Sequence, residues 1–180
     1  SWMMAEALDL GTALDTVVAT LAAAFPTFKT VAAEDETRKT LEVPAIIVQM
    51  SELEPDPDKD PHTGQFPCLV RIEARIVLGY RTPKVRREVL KAAGALAAAV
   101  HSNRLGVAWG AAAVLAVEPD EFAPQADQYD VWRVEWAHAA DIGPSFFIDD
   151  GVTPTQLLTS WSPDIGLAHE QEYVAEGGDV

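Results

Sequence analysis

Cysteine, long apolar runs and basic charge in its second half are what this 180-residue sequence is short of. The single Cys68 excludes an internal disulfide and any multi-cysteine metal site, and makes assembly in a reducing cytoplasm the simplest expectation. No stretch of about 18 apolar residues occurs, so no membrane span is expected. The start, Ser1-Trp2-Met3-Met4-Ala5-Glu6, lacks the basic opening and apolar run of a secretory leader, and a serine in first place fits removal of an initiator methionine. The four histidines (His62, His101, His138 and His169) are scattered, none with a second histidine at ligand spacing. No glycine-rich phosphate loop, nucleophile elbow or pair of catalytic carboxylates stands out. No catalytic residue, metal or cofactor is therefore expected. Residues 1–104 hold 12 basic and 14 acidic side chains, whereas residues 105–180 hold Arg133 alone against 14 acids. Phosphates repel such a half, which argues against a sequence-reading nucleic-acid binder. The net charge of −15 first of all secures solubility.

What is present is an ordinary apolar fraction of 48%, enough for a core. The pattern is centred on Leu69–Val117. Val70, Ile72, Ala74, Ile76 and Leu78 alternate with Arg71, Glu73 and Arg75, the period of a strand buried on one face. Gly79-Tyr80-Arg81 leaves the strand, Thr82 offers a helix cap, and Pro83 suits a first turn. Val85, Val89, Leu96 and Val100, with Ala92 and Ala93, predict a helix over 83–103. An earlier helix is expected at 12–25, from Leu14, Val17, Val18, Leu21 and Phe25, capped by Asp9 or Thr12 and stopped by Pro26. Strands are expected at 41–50, 68–79, 111–118 and 129–141, and 27–40 reads as loop or weak strand. In the last strand Trp132, Val134 and Trp136 oppose Arg133 and Glu135. If it neighbours Leu69–Leu78, Arg71, Glu73, Arg75, Arg133 and Glu135 can form charge pairs across strands, although a solvated outer face is the better reading of their purpose.

The expectation is thus an α+β domain over 1–143. Its mainly antiparallel sheet has four strands, with both helices packed on one face. Two acidic loops, 51–66 and 118–128, and a C-terminal extension, 144–180, complete it. The expected core holds Leu14, Val18, Leu21, Ile72, Ile76, Val89, Leu96, Val100, Trp132 and Trp136. Asp56, Asp58 and Asp60 have the spacing that opens a calcium loop, but Pro61 and Pro67 stand where that loop needs glycine and glutamate. An acidic hairpin tip is the better reading. Cys68 reads as a packed thiol.

This order of elements resembles the tail-terminator (tail-completion) proteins of long-tailed bacteriophages. The resemblance spans about residues 12–142. The stretches that carry it are Leu14–Phe25, Pro44-Ala-Ile-Ile-Val48, Arg71–Gly79, Glu88–Asn103 and Tyr129–Ile142. It implies a virion protein without catalytic residues, made in the host cytoplasm and located at the tail-neck junction. Such a protein forms a hexameric ring on the head-proximal end of the tail tube, ends tube polymerisation and offers a surface to the neck. The implied partners are further copies of the chain, the major tail tube protein, the neck or head-completion protein and the tape measure protein. Genomic DNA passes through the lumen without sequence-specific binding. Six copies bring about 90 negative charges to one ring, so that DNA slides past without sticking. The alternatives are another head-tail connector or neck-completion protein and, from a different class, a small α+β enzyme or ligand-binding module.

Two groups of residues are the expected subunit interface. Arg81, Lys84, Arg86, Arg87 and Lys91 crowd the start of the central helix, opposed there by Glu88 alone, although the helix dipole disfavours cations at that end. Their expected counterpart is the acidic loop 118–128 or the C-terminal segment of a neighbouring subunit, the alternatives being contact with the tail tube or passing DNA, or a plainly solvated basic face. Phe146, Phe147 and Trp161 are the aromatic anchors by which the extension docks on a partner.

Overall fold

Alternation in Phe66–Gly79 (β3) places Cys68, Val70, Ile72, Ala74, Ile76 and Leu78 on one face, all buried, and leaves Pro67, Leu69, Arg71, Glu73 and Arg75 half-buried on the other, where Val77 alone is buried. The computed structural model describes residues 7–34, 40–120, 128–145, 157–159 and 174–176. By its contacts the chain divides into two compact units, Ser1–Phe146 and Phe147–Val180. In the first, Ala45–Pro55 (β2) and Tyr129–Ile142 (β5) flank β3 antiparallel, and Ala113–Pro119 (β4) pairs antiparallel with β5.

The sheet has five strands in the order β1-β2-β3-β5-β4, so the expected four-stranded sheet is corrected to a mixed one. The added strand is Thr30–Ala33 (β1), parallel to β2. The Thr30 hydroxyl donates to the Glu42 carbonyl at 2.8 Å, and the Glu34 N–H donates to the Val48 carbonyl at 2.9 Å, which fixes the strand at both ends. The run expected as a loop from residue 51 is paired strand as far as Pro55, and strand resumes at Phe66. Between them stands a single 3-10 turn, Pro57–Lys59, followed by Asp60, whose carboxylate accepts the His62 N–H at 2.8 Å.

Both helices lie on the even-numbered face. Leu10–Ala24 (α1) is capped by Asp9, whose carboxylate accepts the Thr12 N–H at 2.7 Å. Its buried positions are Ala13, Val17 and Leu21, while Leu14 and Val18 sit half-buried on the flank. The helix is thus rotated slightly within the expected face, so that Ala13 joins Val17 and Leu21 in the core and Leu14 and Val18 move to its margin. Val85–Val100 (α2) buries Val89, Ala93, Leu96 and Val100 against β3, β4 and β5. Thr82 does not cap it. Lys84 takes the cap position in the left-handed region, φ 53°, without a side-chain cap bond. Of the expected core, Leu21, Ile72, Ile76, Val89, Leu96, Val100 and Trp136 are buried. Trp132 is only partly so, because it pairs with Pro119 at the end of edge strand β4.

On the opposite face, a small cluster of Ala45, Val77 and Val131, with Leu41, Val43 and Ile47 against it, fills one end. That explains why Ala45–Val48 is apolar on both sides. In the second unit Leu157–Thr159 (β6) and Val174–Glu176 (β7) form an antiparallel pair. Secondary structure there had not been expected.

Candidate assembly surfaces

The first surface begins at the turn between β3 and α2. The Thr82 N–H donates to the Gly79 carbonyl at 3.0 Å and the Tyr80 N–H to the Gln128 carbonyl at 3.1 Å. The chain then enters α2 through the left-handed Lys84, whose carbonyl accepts the Arg87 and Glu88 N–H groups at 2.9 and 3.0 Å. The turn brings Arg81, Lys84, Arg86, Arg87 and Lys91 to one end of the helix, all exposed. Lys91 lies 3.4 Å from Glu88, and the other four have no carboxylate partner among the described residues. Tyr80 and Leu90 stand among them, 49% and 50% exposed, and a depression of about 570 Å³ is lined by Tyr80, Thr82, Lys84, Val85, Arg86 and Arg87. Further along the same outward side come Gly94, Ala95, Ala98 and Ala99. The patch therefore combines surplus positive charge, an aromatic and small residues, the makings of a contact surface.

The second surface is the odd-numbered face of the sheet. The register sets Glu73 opposite Glu135 and Arg75 opposite Arg133, like charges that repel if left alone. Diagonal and flanking partners resolve the conflict. Arg133 reaches Glu73 and Glu135, each at 2.9 Å, and Glu118. Arg71 donates to Glu54 through Nε at 2.9 Å and Nη2 at 2.7 Å, to Glu135 at 3.0 Å, and lies 3.4 Å from Glu52. Arg75 donates to Asp120 at 2.8 Å and to Glu34 at 3.0 Å. Gln49 adds a bond to Glu73 at 2.9 Å. Burial works against the charge of Arg133, and Glu118, Glu73 and Glu135 outweigh it, raising its pKa above the ordinary value. Glu54 foremost, then Glu135, raises that of Arg71. The strands are neighbours and the conditional cross-strand pairs are made, on a face that reads from sequence as plainly solvated, and loop residues Glu34 and Asp120 extend the network in a way strand alternation did not announce. Glu118 and Asp120, from the loop 118–128 expected to meet a neighbouring subunit, are tied down to this face.

Beneath the helical layer lies a polar knot. His138 is fully buried; its Nε2 accepts the Trp136 indole N–H at 3.0 Å, and its Nδ1 lies 2.8 Å from the Gly110 carbonyl. The ring is therefore neutral with its proton on Nδ1. Trp109 stacks on it at 4.2 Å and donates to the Arg104 carbonyl at 2.8 Å, while Arg104 Nε returns a bond to the Trp109 carbonyl at 3.0 Å. Gly110 packs so tightly that a Cβ would stand 3.2 Å from the Ala139 backbone. Burial lowers the pKa of His138 and raises that of Cys68, which Asp141 raises further. A cavity of about 490 Å³ opens beside the knot, lined by Trp109, Gln65 and Asp141 among others.

The structure brings the five expected cations together, and sequence reasoning missed Tyr80 and Leu90 beside them. Phe146, Phe147 and Trp161 lie outside the described residues. No protein-family model and no curated protein matches this chain.

Proposed function

We propose that this chain is a structural subunit of a bacteriophage tail, a tail terminator that forms a hexameric ring at the head-proximal end of the tube. In this role it ends tube polymerisation, meets the major tail tube protein and the tape measure on one side, and presents a surface to the neck or head-completion protein on the other. It acts by contact and not by catalysis, and genomic DNA passes through the acidic lumen. The observation that carries the proposal is the basic end of α2. Four cations without a carboxylate partner among the described residues, with a half-exposed tyrosine and leucine, form a patch suited to protein contact, on a domain whose element order resembles that of the terminator family.

The test is to purify the particles that contain this chain and locate it by labelled-antibody electron microscopy and quantitative mass spectrometry. The expected result is about six copies per particle, confined to the junction of tail and neck. A distribution along the tube, or absence from particles, rejects the reading. The ligand-binding alternative has one observation in its favour, the cavity beside Trp109 and Asp141. A small-molecule ligand that shifts the melting midpoint of the wild type, with the shift lost in Asp141→Asn, decides for it.

A further inference from the structure

The two surfaces lie on opposite sides of one two-layer unit. α2 covers the even-numbered face of the sheet, so its outward side looks away from the molecule on one side, and the charged odd-numbered face looks away on the other. Their charges are complementary. On the sheet face, three arginines sit among the seven carboxylates Glu34, Glu52, Glu54, Glu73, Glu118, Asp120 and Glu135, a surplus of four negative charges. On the helix face, five cations stand against Glu88, a surplus of four positive charges. The negative surplus is also the accessible part. The Glu52 and Glu118 side chains at the rim are 58% and 52% exposed, whereas Glu73 and Glu135 at the centre are 15% and 16% exposed.

From this we propose that the outward face of α2 binds the acidic sheet face of a second copy of the same chain. Because the two patches are different and lie on opposite sides, the contact is head-to-tail: each copy offers its helix face to one neighbour and its sheet face to the next. The rim carboxylates receive Arg86 and Arg87, Tyr80 and Leu90 supply buried apolar area, and the run from Gly94 to Ala99 lets the neighbour's backbone approach. The contact itself stands on the two faces. Only its closure into a ring rests on the terminator reading, since a head-to-tail contact otherwise runs on as a filament. A nucleic-acid partner fits less well, because a chain of net charge −15 repels a duplex at long range while the complementary surplus stands on its own reverse side.

Charge exchange tests the pairing. Two double variants are made in the full chain: Arg86→Glu with Arg87→Glu on the helix face, and Glu52→Lys with Glu118→Lys on the sheet face. The second pair leaves Arg71 with Glu54 and Glu135, and Arg133 with Glu73 and Glu135. Unchanged circular dichroism and melting midpoints establish that both fold. Association is followed by sedimentation velocity at about 50 and 500 mM salt. The wild type should associate at low salt and less at high salt, and each variant alone should associate about tenfold more weakly. Their equimolar mixture should recover assembly, because the reversed positions 86 and 87 of one variant then meet the reversed positions 52 and 118 of the other, and the two unaltered faces, of opposite surplus, meet each other. Failure of the mixture to recover, or a wild type that stays monomeric at low salt, overturns the proposal. So does a helix-face variant that associates normally but no longer binds a DNA duplex. Recovery with open fibres in place of rings keeps the contact and rejects the terminator reading; rings in particles without recovery in the mixture do the reverse.

Discussion

Burial holds the His138 imidazole neutral, between a tryptophan N–H that it accepts and a glycine carbonyl to which it donates. Its folded pKa lies below the ordinary 6.5, so in the unfolded chain it takes up a proton at higher pH than in the folded one. The unfolded state then binds more protons below about pH 6.5, and stability falls as pH falls through that value. The melting midpoint should accordingly drop between pH 7.5 and 5.5, and His138→Phe should remove most of that slope. The variant leaves the Trp136 N–H and the Gly110 carbonyl unpaired, at a cost of about 2–5 kcal/mol at neutral pH by denaturant titration. A slope that survives in the variant would place the titrating group elsewhere. None of this knot was legible in the sequence. Trp109 and His138 are far apart along the chain, and a histidine on a strand gives no sign of what it stacks on. The one local signal was alternation, which puts His138 on the same face as Trp136. Leu105 illustrates the same limit: it is buried at φ 54°, held by the Asn103 side chain on its N–H and by the Thr20 hydroxyl on its carbonyl. Only the folded packing of α1 against the loop after α2 selects that backbone.

Elements with a strong period follow closely from the chain, and weak ones only in part. β3 and α2 alternate or repeat over three turns or more, so their faces follow from sequence alone. β1 is four residues long and pairs parallel with a strand that lies beyond an irregular connection, and so short a run carries too little pattern to be told from a loop. α1 has apolar residues around so much of its circumference that two slightly different rotations satisfy the pattern, and the one adopted buries Ala13, Val17 and Leu21. At the start of α2 the sequence offered Thr82 and Pro83 as cap and first turn, while the chain uses Lys84 because the turn after Gly79 runs on further. One position in α2 is open to improvement. A Cβ built on Gly94 meets nothing within 4 Å, so the glycine brings its conformational cost without relieving a clash inside the subunit. Gly94→Ala should stabilise the domain by about 0.5–1 kcal/mol and raise its melting midpoint by about 1–4 °C. No change or a loss, measured by calorimetry, would show that the helix is strained at that point.

At the scale of the whole molecule, charge is distributed twice, along the chain and through space, and only the first distribution is visible in sequence. The second half holds a single basic residue, yet that residue, Arg133, is the centre of the sheet-face network, which draws on both halves, whereas the helix face is built from the first half alone. The second unit stands apart in composition as well. Residues 147–180 carry seven acidic side chains and no Lys or Arg, and the strands described within them are three residues each. A two-stranded ribbon of that length is marginal in water on its own. The first unit has the opposite character: its core cluster extends from Ala13 to Trp136 with many side chains fully buried, and Ile142 packs at its margin. A core formed by these residues should not need the second unit. A chain truncated after residue 146 should therefore melt within about 2 °C of the full chain, a shift worth less than about 1 kcal/mol for a domain of this size. On the proposed terminator reading, the same truncation should impair joining of tails to heads in a complementation assay, because the extension is then the proposed docking arm. A midpoint lowered by about 5 °C or more would instead assign residues 147–180 to the stability of the domain, and normal joining by the truncated chain would remove the extension from the assembly surface.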